Sequence, residues 1–368
     1  MRLASPLLIF CLLSFASAAS AAEPASALPK PTDVLANMER VADWQLANPS
    51  KQPVDGWVQA AGYTGMMALA DLSPSPRFLD AMMKMGAANA WKPAKRVYHA
   101  DDQCVIQTYA ELYLRHRDPA MLAPAIARFD YILANPKDDN LDFDGKKNPD
   151  RLDRWSWCDS LFMAPPAWVR LSVATGNKAY LDFAVTKWWK TSDYLYDKEE
   201  HLYFRDSSYF EKREANGKKV FWARGNGWVM GGFVRVLQLL PADHPTRPRF
   251  EQQFREMAAK LISLQQDDGF WRSSLLDPAS YPAKEESGTG FYCYALAWGV
   301  NHGLIDRAVG LPAVLKAWAA LASCVLPDGK LIHVQPIGAD PKKFDENATE
   351  PYGVGAFLLA GSEVYRLR

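Results

Sequence analysis

The sequence predicts an all-α fold: an (α/α)6 barrel of six helical hairpins with a small β-hairpin at the mouth. Three observations predict it. Apolar residues recur at three-to-four spacing in about twelve separate stretches. These stretches alternate, one apolar almost all round and the next apolar on one side only, which implies an inner ring enclosed by protein and an outer ring facing water. The connections alternate as well, short after each apolar helix and long before the next one. An open solenoid uses the same hairpins, but a closed double ring buries every apolar helix in one core, in a single domain over 23–368.

The elements follow in order. Residues 1–22, MRLASPLLIFCLLSFASAASAA, carry one Arg, an apolar run and then small residues, the pattern of a signal peptide. The run is shorter than the roughly 20 residues a bilayer crossing needs, so no membrane insertion is expected once it is removed, and the mature protein is expected to be periplasmic or secreted. Thr32 and Asp33 cap the first helix, VLANMERVADWQLA. GYTGMMALADL, the turn SPSP and RFLDAMMKMGAANAW form a hairpin. The pattern repeats in CVIQTYAELYLRH with MLAPAIARFDYILANP, and in SLFMAPPAWVRLSVA with AYLDFAVTKWWKTSDYLY. It repeats again in GWVMGGFVRVLQLLP with FEQQFREMAAKLISLQ, and in GFYCYALAWGVNHGL with LPAVLKAWAALASCVL, before the closing VGAFLLAGSEVYRL. HLYFRD and KKVFWAR read as two strands around Asn216-Gly217, a hairpin signal.

Composition narrows the function. The 368 residues hold 42 Lys+Arg against 42 Asp+Glu, and a net charge of zero argues against a nucleic-acid partner, which a basic field would attract. Thirteen Trp point to sugar stacking or to a large aromatic core. Cys104, Cys158, Cys293 and Cys324 form no C-x-x-C pair and read as buried core residues. Asn140, Asp142, Asp144 and Gly145 imitate a calcium loop, but Arg151 stands where the closing Glu belongs, so this is an acidic turn. No metal ligand set and no cofactor motif is present.

The long connections gather at one mouth, and they hold nearly every segment dense in Trp, Arg, Asp and His, as a binding site on that face requires. Asp159, in WSWCDSLFMAPP, stands at an inner-helix start among Trp155, Trp157, Phe162 and Met163. Apolar company raises a carboxyl pKa and makes a general acid, whereas capping the helix would lower it; position alone leaves both open. Asp101 and Asp102 in HADDQ open another inner helix beside His99. Two carboxyls around one mouth are what sugar chemistry commonly uses. WARGNGW places Trp222, Arg224 and Trp228 at a corner suited to stacking on sugar and gripping a carboxylate, or to packing and a structural ion pair. ESGTGFY adds the Thr289 hydroxyl.

HADDQCVIQTYAELY, RWSWCDSLFMAPPAWVRL, FWARGNGWVMGGFVRVL, ESGTGFYCYALAWGV and YGVGAFLLAGSEVYRL resemble, in order, the unsaturated rhamnogalacturonyl hydrolases of glycoside hydrolase family 105, relatives of the unsaturated glucuronyl hydrolases of family 88. The resemblance implies the same barrel, no cofactor and an unsaturated uronic-acid oligosaccharide as partner. It implies removal of the 4,5-unsaturated uronic acid from the non-reducing end of lyase products by hydration of the double bond. Asp159 is then the acid that protonates C4, and the second carboxylate is Asp101 or Asp102, with Asp102 preferred. Trp157, His99, Trp222, Arg224, Trp228 and Thr289 are carried over as pocket residues, Arg224 as the group for the uronate carboxylate. Arg205, in LYFRD, stands where better-known members carry His. An inverting glycosidase on saturated uronides and a non-catalytic oligosaccharide-binding protein are the alternatives.

Overall fold

The protein, in a computed structural model, is described over residues 28–368; the expected signal peptide lies outside the described residues. The helices are α1 (Pro31–Ala47), α2 (Trp57–Ala70), α3 (Arg77–Ala88), α4 (Ile106–His116), α5 (Ala123–Ala134), α6 (Ser160–Met163), α7 (Pro165–Thr175), α8 (Lys178–Leu195), α9 (Ala223–Leu237), α10 (Arg247–Leu264), α11 (Glu286–Asn301), α12 (Arg307–Ala322) and α13 (Pro351–Val364). Pro165 and Pro166 have no N–H to continue the α6 ladder, so α6 and α7 are two pieces of one inner position. Helix α1 begins at Pro31, with Thr32 inside its first turn rather than capping it.

The ring closes. Helix α2 packs on α4, α4 on α7, α6 and α7 on α9, α9 on α11, α11 on α13, and α13 back on α2, while α1, α3, α8, α10 and α12 lie outside them. The sequence pattern explains the sorting. Every residue of α9 and α13 is buried, whereas α10 buries only Phe250, Gln253, Phe254, Met257, Ala258 and Leu261, one stripe at three-to-four spacing. Closure between α13 and α2 needs small residues. A Cβ on Gly355 would stand 2.4 Å from the Ala61 carbonyl oxygen, so only glycine fits.

The barrel axis is filled. Trp228 of α9 meets Phe291 of α11 at 4.5 Å, Phe162 of α6 at 4.9 Å, and Trp57 of α2 and Tyr352 of α13 at 6.1 Å between ring centroids. Ten of the thirteen Trp are buried, so aromatic core accounts for most of them. All four described Cys are free and buried. Among the described residues no helix is long and apolar enough to cross a membrane.

One strand pairing differs from the sequence expectation. Leu202–Tyr203 (β2) pairs antiparallel with Tyr196–Asp197 (β1), not with KKVFWAR. The Asn216-Gly217 turn does form, but it joins only Arg213 to Lys219, and Trp222 bridges to Ser274. The reason is that HLYFRD has other partners. The Asn226 side chain takes both the Tyr203 N–H (2.7 Å) and the Tyr203 carbonyl (3.0 Å), and the Arg205 carbonyl accepts from Cys158 N–H at 2.8 Å.

Candidate active site

Asp159 is placed by its approach. The turn Arg151–Arg154 leads into Trp155, held at φ 59°, and Trp157 and Cys158 are then tied to Asp206 and Arg205 by a backbone bridge and a hydrogen bond. The chain thus delivers Asp159 just before α6, yet its side chain caps nothing; its only described side-chain partner is the Cys158 thiol, which donates to Oδ1 at 3.3 Å. Between the two readings left open by position, the cap is excluded. Burial raises the Asp159 pKa, opposed in part by the charges of Arg205 and Arg224.

Asp101 and Asp102 sit on one 3-10 turn, Ala100–Gln103, and face different ways. Asp102, the preferred second carboxylate, is buckled to Arg96. It accepts from the Arg96 backbone N–H at 2.7 Å and from Nε and Nη2 at 3.0 and 2.5 Å. Asp101 is left towards Asp159. Burial and the Asp159 charge push it up to about 7, with Arg96, 4.0 Å away, acting against them. His99 accepts from the Asp101 N–H through Nδ1 at 3.3 Å and lies 5.0 Å from the Trp157 ring. Burial and the Arg96 charge lower His99 to about 4, so its imidazole is neutral at neutral pH.

Arg205 completes the cluster. Burial disfavours its charge, but Asp159 and Asp206 outweigh that and raise its pKa. Its Nη1 donates to Asp206 at 2.6 Å, its guanidinium lies 4.8 Å over Phe143, and its Nε is buried without a described partner. The structure therefore brings together Asp159, Asp101, His99, Trp157 and Arg205.

It does not bring Trp222, Arg224, Trp228 or Thr289 to the surface of that cluster. Arg224 is fully buried and donates to the Gln335 and Pro336 carbonyls at 2.5 and 3.0 Å, between the Trp222 and Tyr352 rings. Both Nη atoms are thus engaged with backbone carbonyls, and its Nε is buried with no described partner. Trp222 donates to the Gln335 side chain at 2.8 Å, Trp228 plugs the axis, and the Thr289 hydroxyl accepts from Trp271 N–H at 3.1 Å. These four hold the mouth from beneath. Sequence reasoning missed Arg96, Cys158 and Asp206 as partners of the cluster. Arg96 reaches it across an irregular loop, from six residues upstream of Asp102, while Cys158 and Asp206 touch their own chain neighbours, Asp159 and Arg205.

Among the described residues no three His, Cys, Asp or Glu side chains gather to hold a metal. In the acidic turn, Lys147 stands 3.9 and 3.8 Å from Asp142 and Asp144.

A family model described as Glycosyl Hydrolase Family 88 matches residues 31–368, the whole barrel and both carboxylate-bearing connections. The chain belongs to Glycosyl Hydrolase Family 88. A relative, the Unsaturated 3S-rhamnoglycuronyl hydrolase of Formosa agariphila, is 38% identical over 346 residues, 91% of each chain. Two solved structures are also similar. Polysaccharide Lyase BACCELL_00875 is 35% identical with a TM-score of 0.82, covering 91% of this chain and 97% of its own. A glycosyl hydrolase family 88 protein from Bacteroides vulgatus is 32% identical with a TM-score of 0.84, covering 92% and 99%. The likeness in fold extends to a possible member of the GH105 family from Salmonella enterica, 19% identical with a TM-score of 0.77 over 94% of this chain and 96% of that one.

Proposed function

We propose that this family 88 glycoside hydrolase removes the 4,5-unsaturated uronic acid from the non-reducing end of lyase-generated oligosaccharides by hydrating the C4=C5 bond. The observation that carries the proposal is the pair Asp159 and Asp101. Neither is spent on a helix cap or a bidentate ion pair, burial raises both, and the charge of one raises the other. Such a pair shares a proton near neutral pH, as protonating carbon requires.

In this mechanism the proton that the pair shares passes to C4 from Asp159, and the cation at C5, stabilised by the ring oxygen, forms beside the carboxylates. Water adds at C5 and returns its proton to the pair. The hemiketal opens to a ketone, and C1 releases the aglycone as an alcohol. We assign the second carboxylate to Asp101 in place of Asp102, whose oxygens Arg96 already occupies. We assign the uronate carboxylate to Arg205 in place of Arg224, because Arg205 is partly exposed and lies beside Asp159. His99, neutral, hydrogen-bonds the sugar hydroxyls, and Trp157 walls the cluster. The rhamnoglycuronyl linkage in the name of the Formosa relative supports rhamnose as the leaving sugar.

The test is loss of the ultraviolet absorbance of the conjugated C=C–COO⁻ group on unsaturated uronyl-rhamnose disaccharides. Turnover is expected in the wild type and a fall of about a hundredfold to ten-thousandfold in Asp159→Asn. Release of sugar from saturated uronides with no loss of absorbance on any unsaturated one would instead support the inverting glycosidase.

A further inference from the structure

We propose that the end of the barrel opposite the mouth is a second ligand site, for a small oxyanion held by Arg170 and Arg235. A cavity of about 740 Å³ opens there, where α2, α4, α9, α11 and α13 end. Five arginines and three carboxylates line it. Three of the arginines have carboxylates other than Glu111: Arg115 pairs with Asp71, Arg366 with Glu363, and Arg247 with Glu251, which Arg255 shares. Arg170 and Arg235, each only 3% exposed, share a single carboxylate, Glu111, whose Oε1 accepts from Arg170 Nε at 2.6 Å and from Arg235 Nη2 at 2.7 Å.

The remaining hydrogen bonds leave an unfilled edge. Arg170 Nη1 donates to the Pro166 and Arg235 carbonyls, and Arg235 Nε donates to the Gln107 side chain at 2.6 Å. Among the described residues Arg170 Nη2 and Arg235 Nη1 have no hydrogen-bond partner, although both residues line the cavity. Two buried cations on one carboxylate carry an uncompensated positive charge. Burial and the neighbouring Arg235 lower Arg170 to about 10, the direction such an excess produces. An oxyanion in the cavity supplies both the missing charge and acceptors for the two free N–H groups. The chemistry fits inorganic sulfate or the carboxylate of a sugar acid equally.

The experiment is calorimetric titration of the protein with sodium sulfate and, separately, with saturated galacturonate, in Tris–chloride of fixed ionic strength. Saturable binding of one anion per chain is expected, and whichever titrant binds identifies the source. Arg235→Gln is expected to weaken it by about tenfold or more, the worth of a charged hydrogen bond. Glu111→Gln keeps the shape and an acceptor for both guanidinium groups while removing the counter-charge, so it is expected to tighten binding; it tests the proposal even if Arg235→Gln fails to fold. Absence of saturable binding, or equal affinity in wild type and Glu111→Gln, would overturn the proposal. So would binding abolished by Arg205→Gln, which would place the anion at the mouth.

Discussion

At the scale of single residues, the site turns on which carboxylate holds a proton. Asp101 is raised to about 7 by burial and by the Asp159 charge, and Asp159 is raised by burial. A pair holding one proton loses its acid as pH rises through about 7 and loses its base in acid, so activity is expected to be bell-shaped, with the alkaline limb near 7. In Asp101→Asn the group that keeps the proton to that pH is gone. The residual activity is then expected to fall away at lower pH, measured as kcat against pH by absorbance loss. Stability follows by linkage. A carboxyl whose folded pKa lies above its unfolded value favours the folded state while protonated and loses that advantage between about pH 4 and 7. Asp101→Asn should therefore melt above wild type at pH 8, with the difference shrinking towards pH 4. The choice between Asp101 and Asp102 was not legible in the sequence. Adjacent residues on a 3-10 turn point about 120° apart, and the partner that claims Asp102 is Arg96, six residues upstream across an irregular loop.

At the scale of elements, the start of α9 shows what a motif can and cannot reveal. WARGNGW marks a corner at the mouth, and the corner is there, but Arg224 faces into the protein and fastens the connection between α12 and α13 through two carbonyls. Tyr352 on α13 donates to the same Gln335 carbonyl at 2.5 Å. Arg224→Met is expected to cost about 2–3 kcal/mol of stability, because the Pro336 carbonyl loses its donor and the connection its anchor. KM should rise with it as the connection shifts over the cluster. If Arg224 instead gripped substrate directly, KM would rise with the melting temperature unchanged; differential scanning calorimetry alongside steady-state kinetics separates the two. The strand error has a similar origin. HLYFRD has the alternation of a strand, but its second edge is satisfied by one side chain, Asn226, and no strand periodicity encodes that partner.

At the scale of the whole molecule, the alternation of helix types was enough to predict two rings, because burial on all sides is written along the entire length of a helix such as α13. Closure was less directly legible, since an open solenoid has the same alternation. It depends on one contact far apart in sequence, α13 on α2, made possible by Gly355 against Ala61. The two architectures respond differently to loss of the last helix. In a solenoid each repeat rests on its neighbours alone, so a terminal element is removed at modest cost. In the ring, α13 lies between α2 and α11 and also supports α1, so removing it exposes apolar faces on three helices and opens the axis beside Trp228. A chain ending at residue 350 is therefore expected to lack a cooperative urea transition by tryptophan fluorescence, while the full chain shows a single one that coincides with loss of helical circular dichroism. A truncated chain that kept a sharp transition, merely shifted to lower urea, would mean that the helices stack as independent repeats and that the contact between α13 and α2 adds little to the fold.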